Sequence, residues 1–173
     1  MNIIRIAGDP VLRVKAKNVE EFDSKLIVTR DSMIETMYDA PGIGLAATQV
    51  GIQQNFFVYD EDGEPKILIN PQIVESSGSW DYEEGCLSIP GVYVSLTRPK
   101  KVTITGFDID GNEVTIEADE LLARIFQHEL DHLNGVLMFD HLEGDEENQK
   151  WEEFNNLLKS GKVKKADRTT PFG

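Results

Sequence analysis

The chain has 173 residues, the size of one domain with a hydrophobic core of its own. Its 17 Lys and Arg residues against 31 Asp and Glu residues give a net charge of −14, which argues against nucleic acid or an anionic membrane as the main partner. The single cysteine excludes an intramolecular disulfide framework and suits a reducing compartment. The N-terminal residues carry no targeting signal, so we expect a cytoplasmic protein. We also expect a monomer that binds neither DNA nor a membrane.

The first helix is predicted over residues 24–39. The apolar residues that recur there roughly on one helical face are Leu26, Ile27, Met33, Ile34 and Met37. Asp23 or Ser24 can cap the first turn. The Pro-Gly pair at residues 41–42 ends the helix.

A β-rich region follows this helix. Alternating apolar residues predict short strands at 56–60, 66–70, 92–96, 101–109 and 113–117. The last two strands are separated by Asp110-Gly111, which predicts a hairpin. A second helix is predicted over residues 120–134, capped by Asp119 and stopped by Gly135. A third helix is predicted over residues 145–159. Strands followed by helices indicate an α+β fold, and we expect a single domain over residues 1–173.

The segment His128–Glu129–Leu130–Asp131–His132 carries the strongest chemical signal. Two histidines four residues apart on a helix lie on one face and can both bind one metal ion. Glu129, next to the first histidine, can then act on water at the metal. The metzincin pattern would place a third histidine where this chain has Met138, so that class is excluded.

Two kinds of third ligand remain open. A thermolysin-like site would use a carboxylate on a later helix, for which Glu152 and Glu153 are candidates. Cys86 is the alternative, because it lies beside a glycine in the segment 84–88, Glu-Gly-Cys-Leu-Ser. The glycine-rich segment 42–49 lacks the signature of a phosphate-binding loop, so taken alone it predicts a tight turn.

The C-terminal region changes charge along its length. Residues 140–153 are strongly acidic, whereas residues 159–168 carry five basic residues. The pattern is typical of a solvated helix with a frayed basic tail, and the alternative is a contact with an acidic partner such as RNA.

Three segments, taken in order, resemble those of one family. Residues 42–49, 84–88 and 127–132 are similar to the GxGxAAxQ, EGCLS and QHExxH segments of peptide deformylases. The resemblance runs from about residue 4 to residue 142, so residues 145–173 form a C-terminal helix and basic tail without a family motif. It implies antiparallel sheets around a central HExxH helix. One residue departs from the pattern, because Thr48 stands where the family usually has proline.

The resemblance implies a metal-dependent hydrolase. One divalent metal would be bound, usually Fe²⁺, with Zn²⁺, Ni²⁺ or Co²⁺ able to substitute. The implied ligands are Cys86, His128 and His132. Glu129 would move the proton of the attacking water, and the side-chain amide of Gln49 and the backbone N–H of Leu87 would stabilise the oxyanion.

The implied substrate is the N-formylmethionyl end of a nascent polypeptide. In the family such a peptide lies as an added strand, here along Ile43, Gly44 and Gly85. The helical spacing places Leu121 and Ile125 where they can line the methionine pocket.

Two charged positions around this site carry expectations of their own. Two interpretations of Arg124 are open. Either its aliphatic chain packs on the methionine side chain of the substrate with the guanidinium in solvent, or the guanidinium forms a structural salt bridge. The resemblance also implies an ion pair between Glu84 and Arg98.

Two other functions remain as alternatives. One is the thermolysin-like peptidase, and the other is a non-catalytic metal-binding module associated with the ribosome. The ribosome is also a possible partner of the enzyme itself, through the basic tail.

Overall fold

The computed structural model describes residues 1–161, in which three helices and seven strands form an α+β single domain. The helices are α1 (Ser24–Asp39), α2 (Glu120–Leu133) and α3 (Gly144–Ser160). The strands are β1 (Gly44–Ala46), β2 (Phe56–Tyr59), β3 (Lys66–Ser77), β4 (Trp80–Cys86), β5 (Ile89–Arg98), β6 (Lys101–Phe107) and β7 (Glu113–Asp119). Short 3₁₀ turns lie at Pro10–Arg13, Ala47–Val50 and Met138–His141.

The strands form two antiparallel sheets. Five of them pair in the order β1-β2-β3-β6-β7, and β4 pairs with β5 in a separate two-stranded sheet. The predicted hairpin is confirmed as β6–β7, with Lys101 opposite Asp119 and Phe107 opposite Glu113. Strand β6 ends two residues earlier than predicted, because the Asp108 carboxylate accepts the backbone N–H groups of Asp110 and Asn112 and closes the turn.

Helices α1 and α2 cover opposite faces of the five-stranded sheet. Along β2, Phe56 and Val58 pack in the same apolar cluster as α1, whereas Phe57 and Tyr59 pack with α2. This follows from the two-residue period of a strand, which sends alternate side chains to opposite faces. The predicted cap of α1 is confirmed, since the Asp23 side chain accepts the backbone N–H of Leu26. The predicted cap of α2 is wrong, because Asp119 occupies the N-cap position but its side chain makes no capping hydrogen bond.

Strands β1 and β4 were not predicted from the sequence, and strand β3 is longer than predicted. Strand β1 has only three residues, and β4 carries acids and aromatics rather than β-branched residues. Strand β3 continues seven residues past its predicted end at residue 70, because its polar second half pairs with β6. In each case the strand exists because a neighbouring strand supplies the pairing.

Helix α3 packs against β5 and the 3₁₀ turn Met138–His141. Phe154 is buried, and Trp151 packs edge-on against Phe139 with ring centroids 4.8 Å apart. Of the predicted basic tail, residues 162–168 lie outside the described residues. Within residues 1–161 no helix is long and apolar enough to cross a membrane.

Candidate active site

Three donor atoms meet between β4 and α2. One donor atom each from Cys86, His128 and His132 lies within 4.8 Å of the other two, and all three side chains are buried. The Sγ of Cys86 is 3.2 Å from Nε2 of His132. Glu152 and Glu153 are exposed on α3 and lie outside this group, so the thermolysin-like arrangement is wrong for the described residues.

Local geometry brings the cysteine to the helix. Strand β4 changes register between Glu84 and Cys86, and Cys86 then pairs with Ile89 across the two-residue turn formed by Leu87 and Ser88. Such a bulge re-aims a side chain at the end of a strand. The histidines occupy successive turns of α2 on one face, with their ring centroids 5.0 Å apart.

A buried carboxylate orients the first histidine. Glu84 accepts a hydrogen bond from Nδ1 of His128 at 2.9 Å, so Nε2 is the ring nitrogen that can face a metal. Both oxygens of Glu84 also bind Arg98, at 2.7 and 3.0 Å, which confirms the expected ion pair. Burial favours the protonated acid, but the hydrogen bonds and charges of His128 and Arg98 outweigh it and hold the pKa of Glu84 well below its usual range.

Arg124 belongs to the same buried network. Its Nη1 donates to Glu84 at 2.7 Å and to the carbonyl of Leu96 at 3.1 Å, and its side chain is fully buried. The interpretation with its charged head in solvent is therefore wrong, and the structural salt bridge is the one that forms. A guanidinium inside the domain must be paired because an isolated buried charge is strongly unfavourable.

The network extends from Arg98 to the surface. Asp131 accepts a hydrogen bond from Nη1 of Arg98 at 2.8 Å and lies 2.7 Å from Nε2 of His141. Two carboxylates, Glu84 and Asp131, thus balance the two guanidinium groups of Arg98 and Arg124. His141 lies outside the metal group and contacts Asp131 at the exposed end of the network.

Glu129 is buried beside the donor atoms with no exposed surface. Neither of its carboxylate oxygens has a hydrogen-bond partner among the described residues. Burial raises the pKa of Glu129 well above its ordinary value, and the charge of Glu84 adds to the effect. The strand β1 passes so close that a Cβ on Gly44 would lie 2.5 Å from Oε2 of Glu129, which explains the absence of a side chain there.

The amide of Gln49 is held at both ends. Its Oε1 accepts the backbone N–H of Ala46 at 2.9 Å, and its Nε2 donates to the hydroxyl of Ser88 at 3.1 Å. This orientation brings Nε2 within 3.9 Å of the Sγ of Cys86. The Nε2 group thus donates toward both the hydroxyl of Ser88 and the Sγ of Cys86, and it faces the donor atoms of the site.

The donor set fits a divalent metal ion. Burial raises the pKa of the Cys86 thiol, and the charge of Glu129 raises it further, so the thiolate form needs a cation to offset both effects. Two imidazoles beside it complete a three-ligand set with sulfur and nitrogen donors, as catalytic metal sites use. The unpaired carboxylate of Glu129 is next to this set, where a water would find a proton acceptor.

The residues predicted to contact a peptide fall into two groups in the structure. Ile43, Leu121 and Ile125 pack in one apolar cluster together with Tyr82. Gly44 begins the edge strand of the five-stranded sheet, and Gly85 directly precedes Cys86 on β4. Leu87 follows Cys86 in the turn. The peptide-binding and oxyanion roles of these residues remain predictions.

Sequence reasoning missed three contributors to this site. Ser88 orients Gln49, Asp131 extends the ion network, and the hydroxyl of Thr48 donates to the backbone carbonyl of His132 at 3.2 Å. The one sequence feature that pointed to a buried ion network was the charged residue Arg124 within the apolar stripe of α2, because a buried charge needs a partner. It did not identify Ser88, Asp131 or Thr48 as members of the site.

The fold and the site define a metal-dependent hydrolase: an α+β domain whose HExxH helix meets a cysteine, with a buried carboxylate beside the donors. Comparisons with known proteins give its family. A sequence model described as "Polypeptide deformylase" matches residues 1–148. The chain is 48% identical over 167 residues to a peptide deformylase of Brucella suis, covering 93% of this chain and 95% of that protein.

Solved structures agree with this result. A crystal structure of a peptide deformylase from Legionella pneumophila superposes with a TM-score of 0.88 at 38% identity, covering 95% of this chain and 99% of that one. A peptide deformylase structure from Synechococcus elongatus, in complex with actinonin, gives a TM-score of 0.85 at 44% identity, with 89% and 86% covered. The chain belongs to the peptide deformylase family.

Proposed function

We propose that this protein removes the N-formyl group from the methionine at the start of nascent polypeptides and releases formate. The observation that carries the proposal is the buried Cys86–His128–His132 group with the unpaired carboxylate of Glu129 beside it. A structural metal site needs no base next to its ligands, whereas hydrolysis does.

We propose Fe²⁺ as the resident metal, with Zn²⁺, Ni²⁺ and Co²⁺ as substitutes, held by Cys86, His128 and His132. One thiolate and two imidazoles are donors that each of these ions accepts. When bound, such an ion supplies Lewis-acid activation of a water molecule and of the formyl carbonyl. Glu84 would keep the ring of His128 in the tautomer that leaves Nε2 for the metal.

Glu129 would carry the proton. Its carboxylate takes a proton from the attacking water and delivers it to the α-amino group as formate leaves. Burial raises the pKa of this carboxyl group well above its ordinary value, which favours the protonated form that delivers the proton to the leaving amine.

Gln49 and Leu87 would stabilise the negative charge on the formyl oxygen. The Nε2 of Gln49 already points toward the donor group, held there by Ser88 and Ala46. The backbone N–H of Leu87 lies in the turn that directly follows Cys86. Donors fixed before the reaction stabilise an oxyanion without the cost of reorganisation.

The peptide would bind as an extra strand. Strand β1 is an edge strand of the five-stranded sheet, so its outer side can pair with an extended chain near Ile43, Gly44 and Gly85. Main-chain pairing accepts many sequences, and the apolar residues Leu121 and Ile125 would select the methionine side chain. The buried Arg124 would support this pocket from behind through Glu84.

We also propose that the protein acts as a monomer in the cytoplasm. The five basic residues among positions 159–168 are the part of an otherwise acidic chain suited to contact ribosomal RNA. To test this contact, ribosome binding is measured at increasing salt concentration for the full chain and for a variant without residues 162–173. We expect binding that weakens with salt in the full chain and is lost in the truncated variant.

Formate release from a formyl-Met-Ala-Ser peptide tests the activity. The protein is purified without oxygen, loaded with Fe²⁺ or Ni²⁺, and assayed beside Glu129→Ala and the surface control Glu153→Gln. We expect turnover in the wild type and the control, and a loss of at least about 10²-fold in Glu129→Ala with its metal retained. No turnover by a fully loaded wild type would favour the non-catalytic module instead.

A further inference from the structure

A buried hydrogen bond joins the segment of Gln49 to the helix of the metal ligands. The side chain of Thr48 has no exposed surface, and its Oγ1 donates to the backbone carbonyl of His132 at 3.2 Å. The two residues are 84 positions apart in the chain. This contact links the 3₁₀ turn Ala47–Val50 to the last turn of α2.

The position of this carbonyl explains how it can accept a second hydrogen bond. The carbonyl groups in the last turn of a helix lack the backbone N–H that would follow at i+4. The carbonyl of His132 accepts the N–H of Gly135 at 3.1 Å, which closes the helix, and the hydroxyl of Thr48 occupies its other lone pair.

We propose that Thr48 is a positioning residue, which fixes the amide of Gln49 relative to the metal ligand His132. Gln49 is the next residue in a one-turn segment, so any shift of Thr48 moves it as well. Gln49 and His132 come from different elements, and the threonine hydroxyl joins them with a defined length and direction. The inference rests on the proposed function of the site.

Thr48→Val removes the hydroxyl at nearly constant shape. The carbonyl of His132 keeps its hydrogen bond from Gly135, so no buried acceptor is left without a partner and the variant is expected to fold. Thr48→Ser keeps the hydroxyl and should restore the contact. Thr36→Val is the control in another element, because Thr36 is also buried and donates to a backbone carbonyl, but on α1, and it also accepts the backbone N–H of Asn2.

Two readouts are measured on the metal-loaded protein: kcat and KM for formyl-Met-Ala-Ser, and the rate of metal release to a chelator. In Thr48→Val we expect kcat to fall about 5-fold, the rate equivalent of one hydrogen bond worth about 1 kcal/mol, with KM within about 2-fold. Metal release should be faster in the same variant, since His132 is less restrained. Thr48→Ser and Thr36→Val should behave as the wild type in both readouts.

Three outcomes would overturn the inference. One is a Thr48→Val protein with the wild-type kcat and release rate. Another is a Thr48→Ser protein as impaired as Thr48→Val, since packing rather than the hydroxyl would then matter. The third is an equal loss in Thr36→Val, which would indicate general destabilisation. If the wild type had no turnover, the metal-release comparison would still decide the role of Thr48 independently of the proposed function.

Discussion

Replacing Gly44 by alanine places a methyl group against the carboxylate of Glu129. The added Cβ would lie 2.5 Å from Oε2, 3.0 Å from Cδ and 3.1 Å from Cγ of that side chain. Ordinary contacts begin at 3.4 Å, so the carboxylate must move by about 1 Å, and a displacement of this size in a catalytic group costs about 10²-fold in rate. Overpacking should also lower the free energy of unfolding by about 1–3 kcal/mol.

Gly42→Ala is the matched control in the same loop. Its Cβ would meet Cδ1 of Leu87 at 2.9 Å, and the next atoms lie at 3.6 Å, so a small rotation of one leucine methyl relieves the contact. Neither Gly42 nor Gly44 has a positive φ, so backbone strain does not separate the two variants. Only the atom that each methyl group meets differs.

The assay is steady-state formate release, with metal content and urea unfolding measured on each protein. For Gly44→Ala we expect kcat to fall about 10²-fold at unchanged metal content, and for Gly42→Ala activity within about 3-fold of the wild type. Loss of peptide pairing along β1 would instead raise KM at constant kcat. A Gly44→Ala enzyme with nearly full kcat would refute the placement of Glu129 as the proton carrier.

Cys86→Ala should abolish metal binding, measured as metal content after dialysis, whereas Glu152→Gln should retain it, because only the first is a donor of the buried group. Glu84→Gln should weaken metal affinity by about 10- to 100-fold, measured by competition with a chelator, because the amide no longer orients His128 as the carboxylate does. Asp131 has a lowered folded-state pKa, because its contacts with His141 and Arg98 outweigh the opposing effect of burial. Its stabilising effect is therefore complete above its ordinary pKa of 3.8 and is lost as the pH falls through the lower folded-state pKa. Urea unfolding near neutral pH should give the wild type a larger free energy of unfolding than Asp131→Asn. This difference in free energy should shrink below pH 3.8. A difference that does not change with pH would contradict the prediction.

The helices and the hairpin follow from local patterns in the chain. Helix α1 has the predicted bounds of residues 24–39, because Asp23 caps its start and apolar residues recur on one face. The two histidines of α2 are four residues apart, and that spacing alone brings them to one side of a helix. A pattern of this kind needs no knowledge of the rest of the molecule.

The environment of Arg124 is not determined by local sequence patterns. Its spacing on α2 places it beside His128, but whether its head reaches solvent or a buried partner depends on Glu84, 40 residues earlier. The short strand β1 is similar, since a segment of only three residues forms a strand because β2 pairs with it. Neither outcome is encoded in the periodicity of the segment concerned.

The third donor of the metal group depended on contacts distant in sequence. Cys86 and His132 are 46 residues apart, and residue types alone left Glu152 and Glu153 as alternative ligands. The bulge at the end of β4 turns Cys86 toward α2, whereas the packing of α3 on β5 leaves Glu152 exposed. Local sequence specifies which side chains a helix or strand presents, and the packing of those elements against one another selects which of them meet at the metal.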